Sequence, residues 1–333
     1  MTAPGGGEGR LVVLTGATGF LGSHLAESLL DDGWRVRAAC RPTGDRSWLA
    51  DRPVEWRVSD LASADDCREL LRGAHTVIHC AGVVAALDEA DYVRGNVDTT
   101  AALLKASAYS LPSDGSFVLV SSLAAHGPAG LDKPAVESDA CRPITPYGRS
   151  KLAAEGLVID QAWPFRTAAV RPPALCGPRD RGFLPLLHFA YRGWTARLGK
   201  RMSGLSLVDG RDAAGAIAAV ARTPAARGVY FVDDGRAGYT WDEMRQALEK
   251  AVERKVRQVD VPLGALRLAG RLRGGWKPGQ PSVLGPDRLA DLDTDGWACD
   301  GRRLVEATGF VARRDAAGSF TDALLFYRKA GWL

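Results

Sequence analysis

The chain has 333 residues, 46% of them hydrophobic and 25% charged, which excludes a disordered or collagen-like polymer and bounds the fold to one large or two modest domains. A chain of this size buries about three quarters of the surface its unfolded form exposes, so it folds without disulfide or metal staples. The 43 Lys and Arg against 39 Asp and Glu leave a dispersed formal charge of +4, which excludes the basic stripe of a nucleic-acid binder.

Residues 1–9, MTAPGGGEG, read as a flexible, solvated tail. They lack the basic start and apolar stretch of a signal peptide, and no later run approaches the ~18 apolar residues of a transmembrane segment. A cytoplasmic location is expected. Cys40, Cys67, Cys80, Cys141, Cys176 and Cys299 form no C-x-x-C pair and no metal-ligand spacing with the five histidines, so they read as free thiols and no metal is expected.

Short β-branched runs then alternate with helical patterns. Strands are predicted at Leu11 to Thr15, Arg35 to Ala39, Val54 to Val58, Thr76 to Cys80, Phe117 to Ser121 and Thr167 to Arg171, with helices starting near Phe20, Asp65, Asp91 and Tyr147. This is the signature of βαβ units and a doubly wound parallel sheet. After Arg171, Pro172, Pro173, Pro178 and Pro185 break the alternation and a mostly helical lobe is expected. Within it, Ser206 to Asp209 and Val229 to Val232 read as strands that return to the first sheet, flanking an Ala-rich helix capped by Asp212.

The first strand runs into Thr15-Gly16-Ala17-Thr18-Gly19-Phe20-Leu21-Gly22. Glycines at this spacing, between a strand and a helix, make a phosphate cradle. Gly16 allows the tight turn, Gly19 the approach of a pyrophosphate and Gly22 close helix–sheet contact, while the helix N-terminus presents free N–H groups. The bland alternative, a tight structural turn, has the strand and helix against it. At the tip of the second strand, Ala38-Ala39-Cys40-Arg41 carries no carboxylate to hold a ribose 2′-hydroxyl. Arg41 either offers a planar cation to a 2′-phosphate or stays a solvated charge; the first reading prefers NADP(H), with NAD(H) still possible. Asp60 reaches an adenine amino group or serves only as a turn residue.

Tyr147 and Lys151 stand four apart at a helix start, so both side chains share one face. A phenol has an ordinary pKa near ~10, and a neighbouring ammonium stabilises its phenolate, which makes proton transfer near neutral pH feasible. The alternative is an amphipathic surface helix. Ser122, at the end of the fifth strand, is placed to bond a substrate carbonyl. Ser121, pointing to the other face, is expected only to pack.

These motifs together resemble an extended short-chain dehydrogenase/reductase of the NAD(P)-dependent epimerase/dehydratase superfamily, in the character of 3β-hydroxysteroid dehydrogenase-like and dihydroflavonol reductase-like members. The residues that carry the likeness are Gly16, Gly19 and Gly22, Asp60-Leu61, His79-Cys80-Ala81-Gly82, Asn96-Val97, Ser121-Ser122, Tyr147 with Lys151, and Arg171-Pro172 before Gly177-Pro178. The resemblance implies a Rossmann domain over 10–176 and a substrate lobe over 177–333, with 205–232 returning to the sheet. It implies catalytic roles for Ser122, Tyr147 and Lys151, help from Asn96, and cofactor contacts from Thr18, Phe20, Leu21, Leu61, Cys80, Ala81, Gly82 and Pro172. It also implies a homodimer through the helices near Asp91 and Tyr147.

Departures from the family pattern narrow the reaction. Leu123-Ala124 supplies no acid or base after the serine, which disfavours dehydration, and Arg171-Pro172-Pro173-Ala174 lacks the asparagine that holds a sugar nucleotide. His126 stands where the family has an aromatic, either as a substrate contact and second proton donor or as a packed imidazole. Pro173 and Phe183 are candidate substrate contacts. Phe183, Leu184, Leu186, Leu187, Phe189, Tyr191 and Trp194 either suit an apolar ligand or form the lobe's core. The basic, leucine-rich stretch Leu263 to Lys277 reads as an ordinary lobe helix, with a membrane-surface or active-site cover as alternatives. An NADP(H)-dependent ketone/alcohol oxidoreductase on a sterol-like or β-ketoacyl-derived substrate is expected, ahead of a nucleotide-sugar epimerase or a non-catalytic dinucleotide sensor.

Overall fold

A computed structural model of the chain describes residues 9–86, 88–198, 201–264 and 290–333. Most of the basic stretch Leu263 to Lys277 lies outside them. In chain order, β1 (Leu11–Thr15), α1 (Phe20–Asp31), β2 (Arg35–Cys40), β3 (Val54–Val58), α2 (Ala64–Leu70) and β4 (Thr76–His79) lead into one interrupted helix. That helix comprises α3 (Glu89–Tyr92), a π-helical segment Val93–Asp98 and α4 (Thr99–Ser110). Then follow β5 (Ser116–Val120), α5 (Leu123–His126), α6 (Pro146–Ile159) and β6 (Arg166–Arg171). The C-terminal part contains β7 (Ala174–Cys176), α7 (Leu184–Tyr191), β8 (Trp194–Leu198), β9 (Gly204–Leu205), β10 (Leu207–Asp209) and α8 (Gly210–Arg222). After these come β11 (Gly228–Phe231), β12 (Tyr239–Thr240), α9 (Trp241–Val252), β13 (Arg257–Val261), α10 (Arg302–Thr308) and α11 (Ala316–Lys329).

Seven parallel strands form the central sheet in the order β11-β6-β5-β4-β1-β2-β3. The period of two along each strand sorts its side chains between two cores. Val12, Leu14, Val36, Ile78, Val118 and Val170 face α1 and α8, whereas Val13, Val77, Phe117, Leu119 and Ala169 face α2, α4 and α6. Both faces are covered, which is why the central strands β1 and β5 read as nearly continuous apolar runs. The fold is a doubly wound Rossmann domain whose strands end, at their C-terminal edge, on the loops that carry the motifs.

The lobe differs from expectation in two places. β11 adds to the sheet beside β6, but β10 pairs in parallel with β7, because β11 already occupies the edge of β6. The cap of α8 is Asp209, which accepts the Arg211 N–H; Asp212 turns inward instead, accepting the N–H groups of Arg313 and Arg314 and pairing with the Arg314 guanidinium. Its carboxylate thus anchors the chain that leads into α11. The lobe has its own core, in which Leu187, Tyr239, Leu248, Phe320 and Tyr327 meet.

Arg166 joins α8 to the sheet. From the buried start of β6 it donates to the carbonyls of Val220 (3.1 Å), Ala221 (2.7 Å) and Ala226 (2.8 Å), a cation at the helix end where carbonyls lack partners. Arg166→Met leaves three buried acceptors without that donor. It should lower the unfolding free energy in urea by about 2–4 kcal/mol, and a change below about 0.5 kcal/mol would show that α8 is held by apolar packing alone.

Candidate active site

The cradle after β1 is set by steric limits. Gly16 has φ +78°, and a Cβ there would lie 2.7 Å from the Ala81 nitrogen; a Cβ on Gly22 would lie 2.0 Å from the Gly16 carbonyl oxygen. Gly19 is different: it is exposed, and the nearest atom to its imagined Cβ is 3.3 Å away, so space in front of the loop, rather than packing, is what its missing side chain leaves. No side chain caps α1 and its first turn carries no acid, so its leading N–H groups face that space. This fits a pyrophosphate. Phe20 and Leu21 contribute their backbone here while their side chains pack, Phe20 against Gly210 and Leu21 against the α1–α8 core. The Thr18 methyl faces the turn at Gly44 beyond β2.

Arg41 lies at the tip of β2, exposed and making no ion pair among the described residues. Asp60 accepts the Ala62 N–H, and Leu61 takes a left-handed φ of +61° with its N–H on Ser59 Oγ. Such a backbone is unusual for leucine. It turns the chain along a cavity of about 560 Å³ lined by Leu61, Ala62, Val83, Gly95 and Thr99, with Asp60 at its rim.

Beyond β4, Thr15 Oγ1 accepts the Ala81 N–H at 3.0 Å and lies 2.7 Å from His79 Nδ1, tying the glycine loop to His79-Cys80-Ala81-Gly82. Asn96 holds the next residues. Its Oδ1 accepts the Val83 N–H (2.8 Å), and its Nδ2 donates to the Val83 carbonyl (3.0 Å) and to Ser150 Oγ (2.9 Å). Ser150 Oγ in turn donates to the Tyr147 carbonyl. The π-helical segment turns Asn96 inward. Asn96 thus links the loop after β4 to the turn that carries Tyr147.

Helix α6 is started by Thr145, which accepts the Gly148 N–H, and by Pro146 in its first turn. Gly148 lets α6 close on α5, since a Cβ there would lie 2.3 Å from the Ala124 carbonyl oxygen. This approach places Ser122 and Tyr147 on neighbouring turns. Ser122 caps α5 by accepting the Ala124 N–H, which leaves its own proton for another acceptor. The Tyr147 ring, half-buried, meets Tyr92 at 6.0 Å between centroids.

Lys151 is buried one turn later, and its ammonium donates to the Val120 carbonyl at 2.7 Å. Burial brings its pKa down to about 8, with the Cys80 thiol and the Glu155 carboxylate opposing the fall. Gly82 leaves room above it: a Cβ there would be 3.4 Å from Lys151 Nζ.

A third member of this helix face was not foreseen. Glu155 accepts from Arg171 at 2.9 Å (Nε) and 2.5 Å (Nη2) and also from the Ser121 hydroxyl, with both ion-pair side chains only 4% exposed. Ser121 thus does more than pack: it ties the end of β5 to α6. The available signal was the carboxylate four residues after Lys151, on the face of α6 that meets the sheet. Pro172 completes the arrangement by accepting the Leu123 N–H at 2.9 Å.

Two candidate substrate contacts, His126 and Phe183, have packing partners in the fold. His126 is 7% exposed, its Nδ1 is 3.1 Å from the Gly127 carbonyl and its ring stands edge-on to Phe231, so it packs. Phe183 meets Phe320 at 6.0 Å in the lobe's core. Pro173 is half-buried beside the site. All six cysteines are free, and no group of metal ligands occurs among the described residues.

The model of the NAD dependent epimerase/dehydratase family matches residues 12–232. A ceramide reductase of Caulobacter vibrioides is 32% identical over 325 residues, 97% of this chain and 96% of that protein. A decarboxylating sterol-4-alpha-carboxylate 3-dehydrogenase of Mus musculus is 31% identical over 61% of this chain and 56% of its own length. A UDP-glucose-4-epimerase of Stenotrophomonas maltophila, solved with NAD and formylated UDP-arabinopyranose, shares the fold at TM-score 0.78 and 19% identity, covering 97% of this chain and 99% of that one.

The ammonium form of Lys151 is present below about pH 8 and is lost as the pH rises through that value. Glu155→Gln removes a carboxylate that favours the charged lysine, so the alkaline fall of kcat/KM should move to lower pH. An even loss at every pH, with the profile unmoved, would mean that Glu155 only holds the fold.

Proposed function

The chain belongs to the NAD dependent epimerase/dehydratase family, within the extended short-chain dehydrogenases/reductases, and we propose that it interconverts a ketone and a secondary alcohol on an apolar, lipid-like substrate, with NADP(H) preferred. That it is an NAD(P)-dependent oxidoreductase follows from the family and from its reductase and dehydrogenase relatives. What supports the finer reading is that α5, capped by Ser122 just after β5, packs closely on the start of α6, which carries Tyr147 and the buried Lys151 whose ammonium bonds the last carbonyl of β5. In this reading 10–176 bind the dinucleotide and 177–333 enclose the substrate.

When bound, the dinucleotide supplies or accepts the hydride. In reduction Tyr147 donates its phenolic proton to the carbonyl oxygen. The Ser122 hydroxyl, whose oxygen is already held by the Ala124 N–H, donates to that same oxygen and fixes its direction. Lys151 gives one N–H to the Val120 carbonyl and keeps two for the ribose side of the site, while its charge stabilises the phenolate left on Tyr147. The substrate class is supported by the names of two relatives, a ceramide reductase and a sterol dehydrogenase; the absence of acid or base at Leu123-Ala124 argues against dehydration.

Tyr147→Phe should lower turnover by about 10²–10⁴-fold and leave NADPH affinity nearly intact, measured on a panel of sterol, acyl and sugar ketones. Substantial residual turnover would sink the assignment of Tyr147, and stoichiometric bound NAD⁺ without net oxidation of NADPH by any ketone would point to an epimerase instead.

The cofactor preference is tested separately. Arg41→Asp places an acid at the tip of β2 and should weaken NADPH more than NADH, read by titrating each cofactor. Equal effects on both would show that Arg41 does not set the preference.

A further inference from the structure

Exposed apolar side chains are unremarkable when single and informative when contiguous. Of the four exposed aromatic side chains among the described residues, three, Phe189, Tyr191 and Trp194, fall within six positions at the end of α7 and the start of β8. The neighbouring elements extend the patch. β13 lies beside β8 with Arg257 opposite Trp194, and two residues on, Val259 is 46% exposed. From α11, Leu325 is 58% exposed and Arg328, one turn later, lies 4.9 Å over the Tyr191 ring.

Among the described residues, the charges on this face that have no ion-pair partner are mainly cations. Arg257 stands 5.6 Å over the Trp194 ring, and Arg254 donates to the Tyr191 carbonyl. Together with Arg192, Arg328 and Lys329 they make five cations with no ion pair among the described residues. Nearby acids are already paired: Asp260 with Arg197, Glu249 with Arg245, and Asp322 with Arg211. Glu253, at the turn after α9, and Asp315, which caps the far end of α11 from Arg328, have no ion pair among the described residues.

Aromatic rings with aliphatic neighbours and a surrounding set of unpaired arginines match the chemistry of a membrane interface. Rings settle at headgroup depth, and cations gather against anionic lipid. A second copy of the chain fits less well, because a two-fold contact through this face would set five cations against five. A nucleic acid would use the cations but leave Leu325 and Val259 without partners. We propose that the α7–β8–β13–α11 face docks the protein, peripherally, on an anionic lipid surface. No described helix is long and apolar enough to cross a membrane, so the contact is one of lying on the bilayer.

The test is flotation of the full-length protein with vesicles of phosphatidylcholine alone or mixed with phosphatidylglycerol. The expected result is binding to the mixed vesicles that weakens with added salt. The double variant Phe189→Ser/Trp194→Ser, and separately Arg192→Glu/Lys329→Glu, should each reduce that binding by about tenfold, with melting temperature and turnover of a short, water-soluble ketone unchanged. Failure of the wild type to bind the mixed vesicles would overturn the proposal. So would variants that bind as the wild type does, which would place the contact elsewhere, or a self-association or oligonucleotide binding that the variants abolish in the absence of vesicle binding. Because flotation is read without turnover, the proposal and the ketone/alcohol reading fail independently.

Discussion

The site depends on one buried ion pair. Arg171 and Glu155 are both withdrawn from water between β6 and α6, and the desolvation of two charges is offset only when geometry and hydrogen bonding are nearly complete. Here they are: the carboxylate receives two guanidinium nitrogens and the Ser121 hydroxyl, while the remaining guanidinium surface meets the Cys141 sulfur at 3.1 Å and the Phe231 ring at 5.3 Å. An interaction this demanding of direction locks the ends of β5 and β6 against the helix. Ser122 follows Ser121, Pro172 follows Arg171, and Lys151 and Tyr147 lie one and two turns before Glu155 on the same helix, so the residues of the proposed chemistry are carried on the elements that the clamp holds together.

The charge around the clamp is arranged to leave one ionisable group near neutrality. Burial, reinforced by the Lys151 charge, pushes the His79 imidazole down to about 3, so it stays neutral while contacting Thr15. Burial likewise pushes the Cys80 thiol up to about 11. With Glu155 committed to Arg171, Lys151 at about 8 is the group whose charge changes in the working range. A cation there and an uncapped helix N-terminus at Gly19 give both ends of the cleft a positive character, which suits an anionic dinucleotide.

Much of this was legible in local pattern. The glycine loop, the seven strands of the sheet to within about a residue at each end, and the Tyr147–Lys151 pair all rest on periodicities of two and 3.6 or on backbone limits that act over a few residues. What was not legible depended on partners distant in sequence. Glu155 carries no local mark that sets it apart from other polar helix residues; its part comes from Arg171. Ser121 alternated to the far face as expected, yet that face held a carboxylate rather than apolar packing. Asn96 sits where the motif put it but acts through backbone and Ser150. His126 and Phe183 were drawn into packing by Phe231 and Phe320. The cap of α8 moved from Asp212 to Asp209 because the buried amides of Arg313 and Arg314 claimed Asp212.

The sequence by itself determined the fold class, the glycine loop and the one-face spacing of Tyr147 and Lys151, because steric and periodic constraints need only near neighbours. Tertiary structure alone decided which polar side chains act and which hold. A carboxylate, hydroxyl or imidazole has no fixed role until burial removes water and a partner replaces it. The aromatic segment after Gly177-Pro178 shows the division most simply. One sequence run supplies Leu187 to the lobe's core and Phe189, Tyr191 and Trp194 to its surface, and only the packing of β13 and α11 beside it decides which is which.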